Sequence, residues 1–496
     1  MWGDVPGWLS ALASVLALLF AGVAVVVANR TFRIESERDR RAGERDRRRQ
    51  AALVSAWCDE RGVRVRNASD GPVYQAHLTV VDLEAPDADP LRRIHAGILP
   101  PSDRAHTWPA ELPPAAEGRV SLTFTDAAGV RWSRDAYGRL AELESRLTIW
   151  GAERMESVLR QFGSDLAARF GVTLECHTPD WPSRQRRYLE ASRDGTIADV
   201  LDAPHDAVAA LAEHGVIEPV ALAAEQREQF LPWTLRALTY RGRLYGVPLT
   251  AQTPVLIRNL DLAPAAPAAF DEIEAFVIQR EAFHLAAVFA AAGGALFGAG
   301  PDGAADAGRI LAASPASVAA FGTLAGRAEL RRPFDEAGAR REFVEGRAPM
   351  LIGLSEDLDD ARAAGVRCAA TPVPPFAGRC PGHPLVSVRG FLLTRSGANR
   401  LVARDLMPDY LTRTDVARTL TSRLATPSCL RRFDAGDGDL RALRGDPGHG
   451  LLMPVHPRMT EAWRPIAETF ARVIDGDDPA ACAQRLDERL REILNG

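Results

Sequence analysis

The sequence predicts an α/β protein, in which a mostly parallel sheet with helices on both faces follows a transmembrane helix, a charged helical spacer and a small antiparallel β-sandwich. Three observations support this prediction: an uncharged apolar run over residues 8–28, a period-two alternation between residues 62 and 137, and alternating strand and helix patterns from residue 147 onward. The chain has 496 residues, of which 46% are hydrophobic. It is therefore long enough for two or three packed units.

The charge and the cysteine spacing exclude several classes of function. The net charge is -5, and no Lys occurs, so that all 60 basic residues are Arg. This balance gives no overall positive field, so we expect no nucleic-acid partner. No CxxC pair occurs among the six cysteines, which argues against a zinc site. Only Cys368 and Cys380 are close enough in sequence to suggest a disulfide, and inert core thiols are the alternative.

Residues 1–29 are predicted to form an N-terminal membrane anchor. The segment from Trp8 to Ala28 contains no charged residue, and its length matches a helix that crosses a bilayer core of about 30 Å. A cleaved signal peptide normally has Lys or Arg before the apolar run, but here only Asp4 precedes it, and no lipoprotein-type Cys follows. The pattern favours an uncleaved anchor.

Residues 30–60 are predicted to form an Arg-rich helical spacer. Nine Arg lie between Arg30 and Arg49, interleaved with acidic residues. Mixed charge at helical spacing is typical of a solvated helix, and contact with anionic lipid headgroups is the alternative. Positive residues beside a membrane helix resist translocation, so these Arg favour the cytoplasmic side for the rest of the chain.

Residues 61–140 are predicted to form the β-sandwich. Apolar residues alternate over 63–65 and again over 74–80, and the turn sequence Asn67 to Gly71 between them predicts a hairpin. A second hairpin is predicted from Val120 to Trp132, with its turn at Asp126 to Gly129. Nothing in this segment indicates a function.

From residue 147 the pattern changes to alternating strands and helices. Leu147 to Trp150 reads as a strand, and an amphipathic helix pattern follows from Met155 to Phe170. Val172 to Cys176 is a second short strand pattern, and Ile197 to Pro204 is a third, which ends at a His-Asp pair. Sheets of this type bind ligands in a crevice at the carboxyl ends of their strands.

Seven segments in this region occur in an order that resembles the maltose-binding class of extracellular solute-binding proteins, from about residue 147 to 496. These segments are Leu147 to Trp150, Ala198 to Val220, Tyr240 to Leu249, Val255 to Leu262, Ala290 to Phe297, Phe343 to Gly353 and Leu451 to Phe470. The resemblance implies a periplasmic-binding-protein-like fold with two lobes, each a sheet flanked by helices, that close over a ligand. Lobe 1 would comprise residues of about 147–253 and 388–428, and lobe 2 residues of about 254–387 and 429–496.

The resemblance also implies ligand-binding residues in the first lobe. Asp206, preceded by His205, stands where the family has an aspartate that accepts sugar hydroxyls. Glu153 and Arg154 lie near the first acid-base pair of the family, and Gln252 replaces a carboxylate. A helix N-cap is the alternative role for Asp206.

The second lobe matches the family's ligand residues less closely. Trp463 matches a tryptophan that stacks on a sugar ring, although a core aromatic is the alternative, and Phe283 keeps a second ring. Arg280 stands where the family has an acid. At four of the family's stacking positions this sequence has no aromatic residue: Ala203 in the first lobe, and Ala282, Ser355 and Asp357 in the second. Fewer rings and an added Arg favour a smaller or anionic solute over maltodextrin.

These observations predict a membrane-anchored protein that binds a carbohydrate-like solute and acts by lobe closure in ABC-type transport, with importer permease subunits as partners. No nucleophile elbow, zinc-protease or nucleotide-binding motif occurs, so we expect no enzymatic activity, no cofactor and no metal. The alternative is a cytoplasm-facing ligand sensor with a signalling partner. The family resemblance favours the extracytoplasmic side of the membrane for the large domain, whereas the flanking Arg favour the cytoplasmic side.

Overall fold

The computed structural model describes residues 48–80, 92–109, 120–143, 146–151, 153–170, 172–178, 184–300, 303–424, 426–432, 438–445 and 450–495. The chain divides into two compact units at the boundary between residues 143 and 144. The predicted anchor over residues 8–28 lies outside the described residues. In the described part of the chain, no helix combines the length and apolar character that crossing a bilayer requires.

The first unit consists of two antiparallel sheets. It begins earlier than the sequence predicts, because Val54–Asp59 is a strand that pairs with Gly62–Asn67, and the helical prediction for residues 30–60 is therefore wrong over this strand. Within its described residues the strands are β1 (Val54–Asp59), β2 (Gly62–Asn67), β3 (Val73–Val80), β4 (Arg92–Leu99), β5 (His106–Trp108), β6 (Val120–Thr125), β7 (Arg131–Arg134) and β8 (Leu140–Leu143). One sheet has the order β1-β2-β5 and the other β4-β3-β6-β7-β8. Apolar side chains from both sheets pack into one shared core, which includes Val65 and Phe124.

The predicted hairpin between Val120 and Trp132 is confirmed. Phe124 pairs with Trp132 across the two strands. Asp126 is buried in the turn, where its carboxylate accepts hydrogen bonds from the Val130 backbone N–H at 2.9 Å and from the Trp132 indole at 2.8 Å. These bonds satisfy the buried charge and hold the turn in place.

The predicted hairpin across Asn67 to Gly71 is wrong. β2 pairs with β1 and β5, whereas β3 pairs with β4 and β6, so the segment carries the chain from one sheet to the other. The buried Asn67 amide donates to Gly71 O and Leu99 O, both at 2.9 Å, which fixes this crossing. A turn sequence predicts where the chain bends, but it does not predict which strands pair with the strands on either side of the turn.

The second unit contains two larger sheets and shorter ribbons. Its described strands are β9 (Arg146–Trp150), β10 (Thr173–His177), β11 (Val200–Pro204), β12 (Thr239–Tyr240), β13 (Arg243–Leu244), β14 (Gly246–Gln252), β15 (Val255–Asn259), β16 (Val277–Ile278), β17 (Phe297–Ala299), β18 (Ala305–Ile310), β19 (Met350–Gly353), β20 (Cys368–Thr371), β21 (Leu385–Leu393) and β22 (Leu451–Leu452). β9 is parallel to both β10 and β11, as the sequence pattern predicts.

Helices flank both sheets of this unit. The described α-helices are Glu153–Phe170, Arg184–Arg193, Val208–Glu213, Ala224–Arg227, Pro232–Ala237, Ala282–Ala291, Pro315–Ala325, Glu336–Val344, Ser355–Ala363, Arg400–Leu411, Thr414–Leu424, Gly438–Arg444, Met459–Ile474 and Pro479–Asn495. A short 3-10 helix, His205–Ala207, follows β11 directly.

The first lobe is built on the sheet of order β10-β9-β11-β21-β14, in which β22 also pairs with β21. β21 runs antiparallel to both β11 and β14, so the sheet is mixed. All seven residues of β14 are buried, as expected for a strand covered on both faces.

The second lobe is built on the sheet of order β16-β19-β15-β20. Its largest core packs the Ala282–Ala291 helix and the C-terminal helices around Phe289, Phe321 and Phe470. Only Thr253 and Pro254 separate β14 from β15, so the chain passes between the two sheets within two residues. The chain returns to the first sheet between β20 and β21.

The predicted disulfide alternative for Cys368 and Cys380 is wrong. Cys368 is buried, Cys380 is exposed, and both are free.

Candidate functional site

The topology of the first sheet places a switch point at its carboxyl edge. β10 and β11 lie on opposite sides of β9, and the three strands are parallel. Connections that leave to opposite sides at such a switch point open a crevice between the strand ends. The helix that begins with Glu153 and Arg154 follows β9, and the turn that holds His205 and Asp206 follows β11. The side chains of Glu153 and Arg154 lie outside the described part of the structure.

His205 is a buried, neutral side chain that connects this turn to the next strand. Its side chain is 1% exposed, and the Val388 backbone N–H donates to Nδ1 at 3.1 Å. Burial lowers the pKa of His205, and this effect outweighs the nearby Asp206 charge, which acts in the opposite direction. His205 therefore supports the turn as a hydrogen-bond acceptor.

Asp206 and Trp463 form a hydrogen bond between the two lobes. The Trp463 indole Nε1 donates to Asp206 Oδ2 at 2.7 Å, although the residues are 257 positions apart in the chain. Asp206 is 8% exposed, and its second oxygen, Oδ1, is buried with no hydrogen-bond partner among the described residues. Trp463 lies on the Met459–Ile474 helix, which packs in the second lobe. The predicted carboxylate and the predicted ring therefore meet at one place.

Phe283 adds a second ring beside Trp463. The two ring centroids are 6.3 Å apart and the planes are inclined by 82°. Phe283 lies in the first turn of the Ala282–Ala291 helix, where its backbone N–H donates to the Glu281 carboxylate at 2.9 Å. This cap fixes the start of the helix, so the Phe283 ring has a defined position against the indole.

Gln252 lies on the same sheet edge and is engaged in a hydrogen-bond network. Gln252 pairs with Ser387 on β21, and the next residue of β21, Val388, contacts His205. Two strand spacings of about 4.8 Å therefore separate Gln252 from His205, a distance of roughly 10 Å. Ser355 Oγ donates to Gln252 Oε1 at 2.7 Å and lies 2.8 Å from Thr426 Oγ1. The network links the second lobe to two of the crossing segments.

Arg280 is not brought to this cluster. Its guanidinium donates to Ala471 O at 3.1 Å and to the Asp475 carboxylate at 2.6 Å, at the C-terminal end of the Met459–Ile474 helix. Ala471 is eight residues beyond Trp463, which corresponds to roughly 12 Å along the helix. A cation there binds the carbonyl end of the helix. The ligand role of Arg280 stays a prediction.

The sequence analysis missed an ion pair between β11 and β21, which joins the buried carboxylate of Asp202 to the partly exposed guanidinium of Arg389. Arg389 on β21 donates from Nε and Nη2 to the two carboxylate oxygens of Asp202 on β11, at 3.1 and 2.9 Å. Burial disfavours its charged form, but the Asp202 charge, aided by Glu356 of the second lobe, raises the pKa of Arg389. The sequence did contain a signal for this pair. β11 and β21 are otherwise uncharged strands, and each contains one charged residue of opposite sign, Asp202 and Arg389.

The described residues include no group of three His, Cys, Asp or Glu side chains placed to hold a metal ion. The pairs near the crevice are instead hydrogen-bonded to one another or to the backbone. Such an arrangement suits recognition of a polar solute by a carboxylate, an amide and aromatic rings.

His205 makes a pH dependence predictable. The folded protein binds its proton more weakly than the unfolded chain does, so the stability from the neutral ring is present above about pH 6.5 and is lost as the pH falls toward the lower folded-state pKa. We expect His205→Gln to flatten the decrease in melting temperature between about pH 7 and pH 5, as measured by calorimetry. An unchanged decrease would assign the effect to another group.

The second unit therefore has two sheets, with Asp206 after a strand of the first and with Trp463 and Phe283 packed on the helices of the second. The chain matches the family model described as bacterial extracellular solute-binding protein over residues 161–428, more than half of its length. It belongs to that family.

Several known proteins are similar to the chain. A maltotriose-binding protein of Pyrococcus abyssi (strain GE5 / Orsay) is 21% identical over 320 residues, which cover 58% of this chain and 68% of that protein. A maltooligosaccharide ABC transporter solute-binding lipoprotein of Streptococcus pneumoniae serotype 4 is 25% identical over 128 residues, or 26% of this chain and 30% of the relative. These relatives are named as binding proteins and not as enzymes.

A solved structure shows the same fold. A cyclo/maltodextrin-binding protein complexed with maltotetraose aligns with a TM-score of 0.59 at 21% sequence identity, over 70% of this chain and 97% of that chain. The predicted periplasmic-binding-protein-like architecture is therefore confirmed for the large unit.

Proposed function

We propose that the chain binds a carbohydrate-like solute in the crevice between its two lobes, without catalysing a reaction. The observation that carries this proposal is the hydrogen bond between Asp206 and Trp463, which places an acidic acceptor and a large ring on opposite lobes. Carboxylates accept sugar hydroxyls, and aromatic faces pack on the apolar face of a pyranose. The names of the relatives, which refer to maltotriose and maltooligosaccharides, support the same class of solute.

Binding would act through closure of the lobes. A two-residue crossing between β14 and β15 and a longer connection between β20 and β21 join the two sheets. A solute that contacts both lobes stabilises the closed form more than the open form, and this difference in affinity shifts the population. The Ser355 contact with Gln252 would help to hold the closed form, because it also joins the lobes.

The remainder of the proposal concerns delivery of the solute. Residues 1–29 would anchor the chain in the membrane, the Arg-rich segment that precedes β1 would form the spacer, and the two-sheet unit that begins with β1 would form a separate β-sandwich before the binding domain at 147–496. The closed form would dock on the permease subunits of an ABC importer, and a separate ATPase would supply the free energy. The uncharged run from Trp8 to Ala28 supports the anchor.

The solute should be smaller than a maltodextrin. Calorimetry should detect tighter binding of a mono- or disaccharide than of maltotriose, because most stacking positions of the family are small or polar here. Trp463→Ala should weaken binding of the preferred sugar by about 1–3 kcal/mol, as loss of a buried stacking ring does. Tight maltotriose binding that Trp463→Ala does not affect would contradict both statements.

The nine Arg that follow the apolar run support a second candidate function, a cytoplasm-facing sensor that closes on its solute and signals to a partner. A reporter fused after Gly496 distinguishes the two. Strong alkaline phosphatase activity with a dark GFP fusion would support the importer function, and the reverse pattern would support the sensor.

A further inference from the structure

We propose that the solute carries a protonated amine, as an amino sugar does, and that Asp206 Oδ1 receives this ammonium group. The inference rests on the proposed function, because it names the chemical class of the solute for the same crevice. It differs from the expectation drawn from Arg280, which favoured an anionic solute.

The first step is the state of Asp206. More than nine-tenths of this residue is buried, and its described hydrogen-bond partner is the neutral indole of Trp463 on Oδ2. Oδ1 is enclosed and has no partner among the described residues, so a solute would reach it when the Trp463 contact between the lobes opens. A buried carboxylate without a cation is costly, so the site favours a ligand that brings positive charge.

The second step concerns the nearby groups that could neutralise Asp206. His205 is adjacent, but its burial favours the neutral ring. Arg389 places two of its nitrogens on Asp202 in a bidentate pair, and Arg280 is bonded to Asp475 at the far end of the helix. Each of these guanidinium groups therefore has a carboxylate partner of its own.

The third step is the aromatic surroundings. Trp463 and Phe283 form a corner of two rings, 6.3 Å apart and nearly perpendicular, next to the carboxylate. The carboxylate meets the N–H edge of the indole, so the attraction for an ammonium group comes from the carboxylate, and the two rings supply apolar contact for the rest of the sugar. A neutral hydroxyl could occupy Oδ1, but it would leave the charge uncompensated.

The test is calorimetric titration of the full-length chain at about pH 6.5, where amines of this type carry a proton. The probes are matched pairs: glucosamine with glucose, galactosamine with galactose, and fully deacetylated chitobiose with cellobiose. We expect at least one amino sugar to bind about tenfold or more tightly than its neutral partner.

Asp206→Asn is the decisive variant, because Asn keeps the size and still accepts the Trp463 N–H. It should reduce the preference within that pair to about threefold or less. The matched control, Asp475→Asn, removes a carboxylate at the other end of the same helix and should keep the preference.

The outcomes separate the two proposals. Binding of a neutral sugar as tight as that of its amino partner would overturn the ammonium inference and leave the carbohydrate function intact. A preference that persists in Asp206→Asn would overturn the assignment to Asp206. Absence of binding for every pair would overturn the proposed function as well.

Discussion

Phe470→Ala is expected to lower the free energy of unfolding of the large unit by about 3–5 kcal/mol. Phe470 is fully buried, and its ring lies 5.6 Å from both Phe289 and Phe321, measured between centroids. Truncation removes contacts with both rings and leaves a cavity that packed neighbours fill only in part. Denaturant unfolding, followed together with calorimetry, measures the loss.

Phe283→Ala is the matched control, because it makes the same change at a ring that is only partly buried against the same core. Its cost should be clearly smaller. A Phe470→Ala variant that loses less than about 1 kcal/mol would contradict the described packing of this core.

Asp202→Ala should destabilise the large unit by about 2–3 kcal/mol, somewhat less than breaking a fully buried pair because Arg389 is partly exposed. Asp202 is 1% exposed and binds Arg389 through two hydrogen bonds, so its removal leaves a guanidinium whose side chain is only 24% exposed without this partner. Breaking one side of a buried pair costs more than the pair itself contributes, because the remaining charge stays desolvated. Thermal and denaturant unfolding measure the effect.

Two further variants test whether the uncompensated charge of Arg389 causes this loss of stability. Glu468→Ala breaks an ion pair with Arg464 that is exposed on both sides, so it should change the stability little. Replacing Asp202 and Arg389 together by Leu and Met should recover much of the loss. A double variant as unstable as Asp202→Ala would show that the uncompensated charge is not the cause.

Local sequence patterns predicted the individual strands and turns better than they predicted which strands pair with each other. The strand at Leu147 to Trp150 and the turn at Asp126 depend on residues close in sequence, and both are present. The pairing of β2 with β5 joins segments some 40 residues apart, which the turn sequence at Asn67 to Gly71 could not indicate. Strand pairing is decided by the shared core of the two sheets and not by the turn.

The candidate site shows the same division. The family resemblance named Asp206 and Trp463 separately, but the hydrogen bond between them depends on the packing of a helix 257 residues away. The position of Arg280 in the sequence likewise gave no sign that its guanidinium would bind the end of that helix. Residue identity predicted the chemistry available, and tertiary packing decided which groups meet.

Hydrogen-deuterium exchange of the full-length chain tests the central claim most directly. The solute should be the sugar that binds most tightly in calorimetry, added at saturating concentration. We predict that it slows exchange on both lobes together, at the His205–Ala207 turn and in the first half of the Met459–Ile474 helix, because the solute lies between them. Protection confined to one lobe, or to residues 48–143, would contradict a binding site in the crevice.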